Sequence, residues 1–463
     1  MGAMRFLAVV LAACVSAAAA DLAPKPGCHP DLVQSASVEY ASASGTPGSC
    51  PTLAIEDVNV IDVLASRVRP NMTVIIEGDR IAALGPASST FPPQDARKDA
   101  RVVSGHGMFL IPGLWDMDVH LWYRENQLPV FVAFGVTGVQ DTGSDFERVS
   151  AWRRAIERGD AIGPHVVTSG PPVAGRETRD RRLPVLLART PAEARRAFDR
   201  LWDLDTDFIE VQPELSRDAY FALAEMARHW NMRLTGPIPS SISSAEAIEA
   251  RQVNVDDLAG VAVAAEPELL RFFERCAMFG MRFSPALTMW RRMAHIDDQK
   301  LKSDPSLKYV PAAIRDSWTG SAGTGHAWAG DAGRESAVSG AQVEAAYRLV
   351  RLMKRSGVEV LAATHTGDPY TVPGATLHDE LEQMVAAGLT PAQALEAATI
   401  APARLLAWDH AMGTVDMGKV ADLVLLGANP LENIRNTRKI EAVFTRGKYY
   451  SRQDLDAILA AVQ

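Results

Sequence analysis

The motif I-P-G-L-W-D-M-D-V-H-L-W occupies residues 111–122, and the organisation of the chain can be worked out from it. Its Pro-Gly pair predicts a turn, and residues 114–121 then have the pattern of a short strand. Because side chains of a strand alternate between its two faces, Asp116, Asp118 and His120 share one face. Asp118 and His120 are both of a metal-binding type, although an ordinary polar strand face would have the same pattern.

Short β-like segments alternate with helical segments on the C-terminal side of this motif, and together with it they make eight predicted strands. Strands that alternate with helices predict parallel βα units. Eight such units are enough to close a (β/α)8 TIM-like barrel, in which the chemistry lies at the C-terminal ends of the strands. The other seven predicted strands are residues 136–140, 165–169, 208–212, 233–235, 253–256, 282–287 and 358–362.

Three of the predicted helices have clear starting signals. Capping boxes of the form S/T-x-x-E/Q begin at Thr190, Ser243 and Thr390, and each predicts the first turn of a helix. Two of them have proline at the first helical position, where its missing N–H has no consequence.

Two further sets of short β segments flank the βα region. The first lies within residues 53–110 and contains a Gly-Asp hairpin turn, and the second lies within residues 412–450. Their positions predict one small β-sandwich assembled from both flanks. The barrel is then expected over residues 111–411, and a C-terminal helix over residues 451–463.

Residues 1–20 have the basic start, apolar run and small-residue ending of a secretory signal peptide. They predict an exported protein, periplasmic or secreted, with a low-complexity leader over residues 21–52. The segment Leu-Ala-Ala-Cys that ends at Cys14 also resembles a bacterial lipobox, so a lipoprotein anchored at Cys14 is the alternative. Export would permit a disulfide between Cys28 and Cys50, which flank a loop rich in Ser, Ala and Gly.

The composition argues against two classes of partner. The formal net charge is -9, and the sequence has no block of Lys and Arg, so no nucleic-acid partner is expected. No stretch after residue 20 is long and apolar enough to span a bilayer. Association with a membrane is therefore expected only if the chain is lipidated at Cys14.

Several stretches together resemble the amidohydrolase superfamily, specifically its imidazolonepropionase-like or prolidase-like exported members. They are P-G-L-W-D-M-D-V-H-L-W at 112–122, G-V-E-V-L-A-A-T-H-T-G-D-P at 357–369, G-L-T-P-A-Q-A-L-E-A-A-T at 388–399 and G-K-V-A-D-L-V-L-L-G-A-N-P at 418–430. The resemblance covers roughly residues 53–460. It implies a TIM-like barrel with a flanking β-sandwich, the architecture that the strand and helix pattern also predicts.

The resemblance implies hydrolysis of amide, ester or other C–N bonds with one or two divalent metals that activate water. Family members bind these metals with His-x-His on the first strand, a carboxylated Lys on the fourth, a His on each of the fifth and sixth, and an Asp on the eighth. This chain departs from most of that pattern. On the first strand Asp118 stands at the position of the first His, whereas His120 matches the second.

The later strands depart further from the family pattern. Glu210 stands where the family has the carboxylated Lys, and His365 stands where it has the Asp. Pro237 and Asp257 stand at the two remaining His positions. Because Pro237 has no donor, the resemblance implies a mononuclear site that holds one divalent metal ion, Zn or Mn. The predicted metal ligands are Asp118, His120, Glu210 and His365.

Two residues are candidates for proton transfer at this site. His365 stands at the position of the family's proton-accepting Asp and could take a proton from water if it is not itself a ligand. Asp257 is the second candidate. If the barrel closes, Asp118, Glu210 and Asp257 are crowded together, which raises the pKa of at least one carboxyl unless a cation compensates.

Three further residues are candidates for substrate contact. Tyr123 and Tyr370 lie just beyond the first and eighth predicted strands, and His378 begins the helix that follows the eighth. Simple packing is the alternative for both tyrosines. For His378 the alternative is a capping or surface position on its helix.

The sequence therefore predicts a metal-dependent hydrolase of amide-type C–N bonds. The resemblance suggests a small-molecule substrate, either dipeptide-like or a cyclic amide, and a homo-oligomer. Because a fold does not determine activity, the alternative is a catalytically inactive binding protein on the amidohydrolase fold.

Overall fold

The computed structural model describes residues 52–87, 100–122, 127–177, 184–258, 260–261, 264–319 and 338–462. The predicted signal peptide, Cys14, the Cys28–Cys50 pair and Tyr123 lie outside the described residues. Within the described part of the chain, no helix has the length and apolar character needed to cross a membrane.

The fold is mixed α/β. The strands are β1 Thr52–Asp62, β2 Arg67–Glu77, β3 Arg80–Pro86, β4 Arg101–Ser104, β5 Phe109–Pro112, β6 Leu114–Val119, β7 Val136–Asp141, β8 His165–Thr168, β9 Val173–Ala174, β10 Leu186–Leu187, β11 Phe208–Glu210, β12 Arg233–Thr235, β13 Asn254–Asp256, β14 Arg282–Ser284, β15 Leu423–Leu426, β16 Ile440–Thr445 and β17 Lys448–Ser451. The α-helices are α1 Leu128–Ala133, α2 Phe146–Glu157, α3 Pro191–Leu204, α4 Arg217–His229, α5 Ser244–Glu249, α6 Glu266–Phe279, α7 Leu287–Ala294, α8 Gln299–Lys302, α9 Ala312–Thr319, α10 Gly340–Arg355, α11 Ala375–Ala386, α12 Pro391–Ala397, α13 Ile400–Leu406 and α14 Arg452–Ala461. Within the described residues, 3-10 helices lie at Pro305–Tyr309 and Ile434–Arg438.

One large mixed sheet combines strands from both flanks of the chain. Its order is β17-β16-β15-β5-β1-β2-β3, with β4 also paired to β1. The junction between the flanks is the antiparallel pair of β5 and β15, in which Leu110 faces Leu425. Side chains from both flanks, such as Ile55 and Phe444, are buried in the same apolar cluster. The two flanks therefore form one sheet with a shared core.

Backbone contacts connect the central strands in sequence order. β6, β7 and β8 pair in parallel, as do β11 with β12 and β13 with β14. Hydrogen bonds outside regular ladders bridge the steps from β8 to β11 and from β12 to β13. The Asp207 N–H donates to the Thr168 carbonyl between β8 and β11 (2.9 Å), and the Val253 N–H donates to the Leu234 carbonyl between β12 and β13 (2.9 Å).

The segment after α10, which was predicted to form the eighth strand, returns the chain to β6 but is not a regular strand. Val360 bridges Phe283 of β14, and Thr366 bridges Val119 of β6. Between them, the Thr364 N–H donates to the side chain of Asp116 instead of to a neighbouring backbone carbonyl (3.0 Å). Within the predicted strand over residues 358–362, the Ala362 N–H donates to the Ala397 carbonyl of α12 (2.8 Å) instead of to a neighbouring strand, which corrects the prediction of a regular strand there.

The other local predictions have mixed outcomes with clear physical reasons. The capping boxes at Thr190, Ser243 and Thr390 are confirmed, because each side chain accepts from the N3 backbone N–H and the N3 side chain accepts in return. The strand predicted over residues 282–287 instead ends at Ser284. The following Pro285 has no N–H to donate to a sheet, and the chain turns there into α7.

A buried contact joins the flanking sheet to the central strands. His165 of β8 lies with its Nε2 atom 2.8 Å from Oδ2 of Asp422, just before β15. Asp422 also accepts a hydrogen bond from the Arg446 N–H (2.7 Å). Burial raises the pKa of Asp422, but His165 and Arg446 outweigh this effect and hold it below its ordinary value. His165 has this structural contact and is not among the residues that line the cavity described next.

Candidate metal centre

A cavity lies near the C-terminal ends of β6, β11 and β13, with residues of the final extended segment on its wall. Its titratable lining residues are Asp118, His120, Glu210, Asp256, Asp257 and His365. Thr142, Gln212, Pro213 and Pro237 complete the lining. Four parts of the chain thus contribute acids or imidazoles to one cavity. They are β6, the positions of the family's fourth and sixth strands, and the final extended segment, which the sequence also predicted to converge.

Three of these side chains have the arrangement of a metal site. Asp118, His120 and His365 are buried, and each offers a donor atom within 4.8 Å of the donors of the other two. His365 Nε2 is 4.0 Å from Asp118 Oδ2, and the two imidazole rings lie edge to face with centroids 4.7 Å apart. One carboxylate and two imidazoles make a donor set that catalytic zinc sites use, with a further position left for water. The residues therefore fit a single divalent cation.

The first two of these donors are held in place by their neighbours. Asp118 Oδ1 accepts a hydrogen bond from the Thr142 hydroxyl (2.6 Å). The His120 ring stacks on Trp122, with centroids 4.3 Å apart and planes inclined by 6°, and the backbone N–H of His120 donates to the Thr366 carbonyl (2.6 Å). Such contacts orient ligand side chains before a metal arrives.

The third donor, the imidazole of His365, is surrounded by carboxylates that favour its protonated form. Burial lowers the pKa of the His365 imidazole, but the nearby carboxylates of Asp368 and Asp118 outweigh burial and hold the pKa well above its ordinary value. Without a metal, an imidazolium at this position balances part of the negative charge in the cavity.

The remaining acids confirm the predicted crowding of carboxyls. Burial, and then the charge of Asp256, raises the pKa of Glu210 well above its ordinary value, against one hydrogen bond from Thr235. Burial, and then the charges of Asp118 and Asp257, raises the pKa of Asp256 in the same way. The pKa of Asp118 is also raised by burial, although His365 opposes the change.

Glu210 and Pro237 line the cavity without joining the three-donor group. Glu210 accepts a hydrogen bond from the Thr235 hydroxyl (2.7 Å), and it is not one of the residues whose donors lie within 4.8 Å of one another. Its role as a fourth ligand stays a prediction. Pro237 is on the cavity wall, where it offers no side-chain donor.

Asp256 is the acid that the sequence reasoning passed over in favour of its neighbour. Both Asp256 and Asp257 line the cavity. Asp256 Oδ1 accepts from the Asn254 side-chain amide, and its buried Oδ2 has no hydrogen-bond partner among the described residues. Strand alternation places Asn254 and Asp256 on one face, so the signal was present in the sequence. The proposed catalytic role of Asp257 stays a prediction.

Two of the predicted substrate contacts are placed elsewhere by the structure. Tyr370 is buried against Trp318, with ring centroids 5.3 Å apart, and is not part of the cavity wall. His378 is 1% exposed. Its Nε2 lies 3.0 Å from the Phe134 carbonyl and its Nδ1 lies 2.9 Å from the Thr437 hydroxyl. Tyr370 is therefore packed, and His378 is a buried connector that is neither a cap nor a surface residue. Substrate contact by these two residues stays a prediction.

Comparison with known proteins identifies a family model and a set of similar folds. The model of the amidohydrolase family matches residues 109–449. Among solved structures, a putative prolidase from Bifidobacterium longum is 21% identical over 90% of this chain and all of its own, with a TM-score of 0.68. A bottromycin amidohydrolase is 20% identical over 89% of this chain and 90% of its own, with a TM-score of 0.70.

A Xaa-Pro dipeptidase with methionine bound in its active site is a further structural relative. It is 19% identical over 86% of this chain and all of its own, with a TM-score of 0.66. A search of curated proteins finds no match. At these identities the solved structures establish similarity of fold.

Proposed function

Because the chain belongs to the amidohydrolase family, we propose that it is a metal-dependent hydrolase of amide-type C–N bonds with an altered, mononuclear site. The observation that carries the proposal is the group of Asp118, His120 and His365, whose donors lie within 4.8 Å of one another. This donor set suits Zn, and the carboxylate-rich surroundings also suit Mn. The proposed substrate is a small molecule, either dipeptide-like or a cyclic amide.

The architecture that we propose is a (β/α)8 barrel with a β-sandwich built from both flanks. The return of the final segment from β14 to β6, through the bridges of Val360 and Thr366, supports closure of the central strands. The sheet shared by β5 and β15 supports the assembly of the flanking unit. We also propose export to the periplasm or the medium, a lipid anchor at Cys14 being the alternative, and assembly as a homo-oligomer.

In the proposed mechanism, Asp118, His120 and His365 would hold the metal ion. The other acids of the cavity would accept and donate the proton. A divalent metal ion held by these residues would supply an activated water and would polarise the carbonyl of the substrate. A carboxylate beside the metal site can take a proton from the water and later return it to the leaving amine. Glu210 and Asp256 have pKa values raised by burial and by neighbouring carboxylates, and Asp257 lies beside them in the cavity wall.

The choice of proton acceptor depends on the role of His365. If its Nε2 binds the metal, the same atom cannot also take a proton, and the acid cluster then acts as the base. If the metal is held by the other donors, His365 is placed to accept the proton itself. Loss of metal binding in His365→Ala would assign it as a ligand, whereas retained metal with lost turnover would assign it as the base.

The test of the proposed function is hydrolysis by metal-free protein reloaded with Zn²⁺ or Mn²⁺. The substrates are N-acyl amino acids, dipeptides and cyclic amides. We expect turnover only in the loaded protein, and a loss of at least about 100-fold in His120→Ala, because removal of a ligand or its support removes transition-state stabilisation. His229→Ala, at an exposed position on α4, is the matched control and should keep full activity.

A catalytically inactive binding protein is the second candidate, and Pro237 favours it. This proline occupies the cavity wall at a position where the resemblance implies a His ligand. Stoichiometric metal together with no turnover on any of the three substrate classes would contradict the hydrolase and favour the binding protein.

A further inference from the structure

The turn that begins at His365 folds back on itself in a strained conformation. His365 and Tyr370 have positive φ angles of 54° and 63°, and Gly367 has a φ of 128°. Residues with a Cβ adopt such φ angles only at a cost in free energy, and they keep them where surrounding contacts hold the backbone. Here the Asp368 N–H donates to the His365 carbonyl (3.2 Å). The Thr371 hydroxyl donates to the Asp368 carbonyl (2.6 Å).

The consequence of this turn is that Asp368 lies against one edge of the His365 ring. Nδ1 of His365 is 3.1 Å from Oδ2 of Asp368, whereas Nε2 faces Asp118 Oδ2 at 4.0 Å. The Nδ1–Oδ2 pair lies within hydrogen-bond distance but off the ideal direction, so it is a close charge contact. Because the two ring nitrogens point in opposite directions, the contact at Nδ1 directs Nε2 into the cavity.

The turn is also packed directly against the Cβ atom of His120, the second histidine of the group. A Cβ added to Gly367 would lie 3.0 Å from Cβ of His120, and the φ of 128° at this position disfavours any side chain. The Gly367 N–H is in turn held by the Thr371 hydroxyl (3.0 Å). The backbone between His365 and Asp368 therefore has little freedom to move away from the cavity.

We propose that Asp368 is a positioning residue that fixes the His365 ring with Nε2 toward the cavity and thereby sets the affinity for the metal ion. The inference rests on the metal site of the proposed function. Carboxylates that contact the outer nitrogen of a ligating His orient the ring and raise its basicity, and their loss weakens metal binding by about 10- to 100-fold. Asp368 is outside the ligand set that the family pattern implies.

The chain contains a second buried Asp–His contact that serves as a matched comparison. Asp422 lies 2.8 Å from His165, but this pair joins the flanking sheet to β8 and neither residue lines the cavity. If Asp368 only stabilised the fold, removing it should have the same kind of effect as removing Asp422. A specific role in positioning His365 predicts an effect on metal affinity that Asp422 does not share.

The test measures the Zn²⁺ affinity of metal-free protein by competition with a chromophoric chelator. We expect Asp368→Ala to weaken binding about 10- to 100-fold. Asp368→Asn keeps an oxygen near Nδ1 but loses the negative charge, so its affinity should lie between those of Asp368→Ala and the wild type. Asp422→Ala should bind Zn²⁺ with unchanged affinity. The visible spectrum of the Co²⁺-loaded protein should change in Asp368→Ala and stay unchanged in Asp422→Ala.

Asp368→Leu has a similar shape without an acceptor and is measured in parallel, in case Asp368→Ala does not fold. Wild-type affinity in either folded variant would overturn the role of Asp368. A wild type that does not bind Zn²⁺, or whose binding survives His120→Ala, would instead overturn the metal site of the proposed function. The two failures are therefore distinguishable in one experiment.

Discussion

Asp256 is buried among like charges, so its ionised form costs free energy in the folded state. Burial and the carboxylates of Asp118 and Asp257 raise its pKa well above the ordinary value. The neighbouring His365 lowers that pKa only in part. A bound cation would reduce the repulsion, which is a physical reason for these acids to share a cavity with a candidate metal site.

The first prediction at the scale of residues concerns Asp256→Asn. Because the folded pKa is raised, the folded state binds more protons than the unfolded chain above pH 4, and wild-type stability falls as pH rises toward the folded pKa. Asn does not titrate. We therefore expect metal-free Asp256→Asn to be more stable than the wild type at pH 8, by a difference that shrinks as the pH falls toward 4. Urea unfolding at both pH values measures this.

Asp422→Asn is the control, because the pKa of Asp422 is shifted in the opposite direction to that of Asp256. The pKa of Asp422 is held below its ordinary value, so its ionised form contributes stability above pH 4 that is lost as pH falls through the lowered folded pKa. Its substitution should destabilise the protein at pH 8. An Asp256→Asn protein that is also less stable than the wild type at pH 8 would refute the proposed repulsion.

Sequence reasoning identified most of the cavity acids but not the contacts between them. Asp118, His120 and His365 could be found because strand alternation and family resemblance place them by position. Asp368 could not, since its contact with His365 depends on positive φ angles within the turn. A Gly-Asp-Pro sequence signals a turn without specifying which side chain it folds against.

Helix α11 shows how a polar residue can be used to connect elements. His378 contacts the Phe134 carbonyl after α1 and the Thr437 hydroxyl in the 3-10 helix at Ile434–Arg438. Burial, together with the positive charge of Arg438, lowers the pKa of His378 to about 4. The imidazole is therefore neutral in the folded protein at pH values where the unfolded chain binds a proton.

The second prediction, at the scale of elements, concerns the pH dependence contributed by His378. Its folded pKa is depressed, so its contribution to stability is present above pH 6.5 and is lost as pH falls toward 4. We expect the wild type to lose about 2 kcal/mol between pH 7 and pH 5 that His378→Gln does not lose. The comparison of unfolding free energies at the two pH values isolates this group, and equal losses in both proteins would contradict its neutral burial.

Local signals predicted the elements whose structure depends on neighbouring residues. The capping boxes fixed the starts of α3, α5 and α12 because their hydrogen bonds lie within four residues. The structure of the final extended segment could not be predicted from such local signals. Its ladder is interrupted by the side chain of Asp116, which lies 248 residues away in the sequence from Thr364.

On the scale of the whole molecule, the candidate metal centre lies where the first and last central segments meet. Asp118 belongs to β6 and His120 follows it directly, whereas His365 comes from the segment that returns to β6. A metal ion bound by these three donors would therefore crosslink the two ends of the central unit. The mixed α/β class could be predicted from the alternating pattern, but this junction depends on contacts between residues far apart in sequence.

The central claim is that the cavity binds one divalent metal ion through Asp118, His120 and His365. Calorimetric titration of Zn²⁺ into the metal-free protein tests it most directly. The predicted result is one Zn²⁺ per chain in the wild type and loss of this binding in the double variant His120→Ala/His365→Ala. No binding by the wild type, two ions of similar affinity, or undiminished binding by the double variant would contradict the claim.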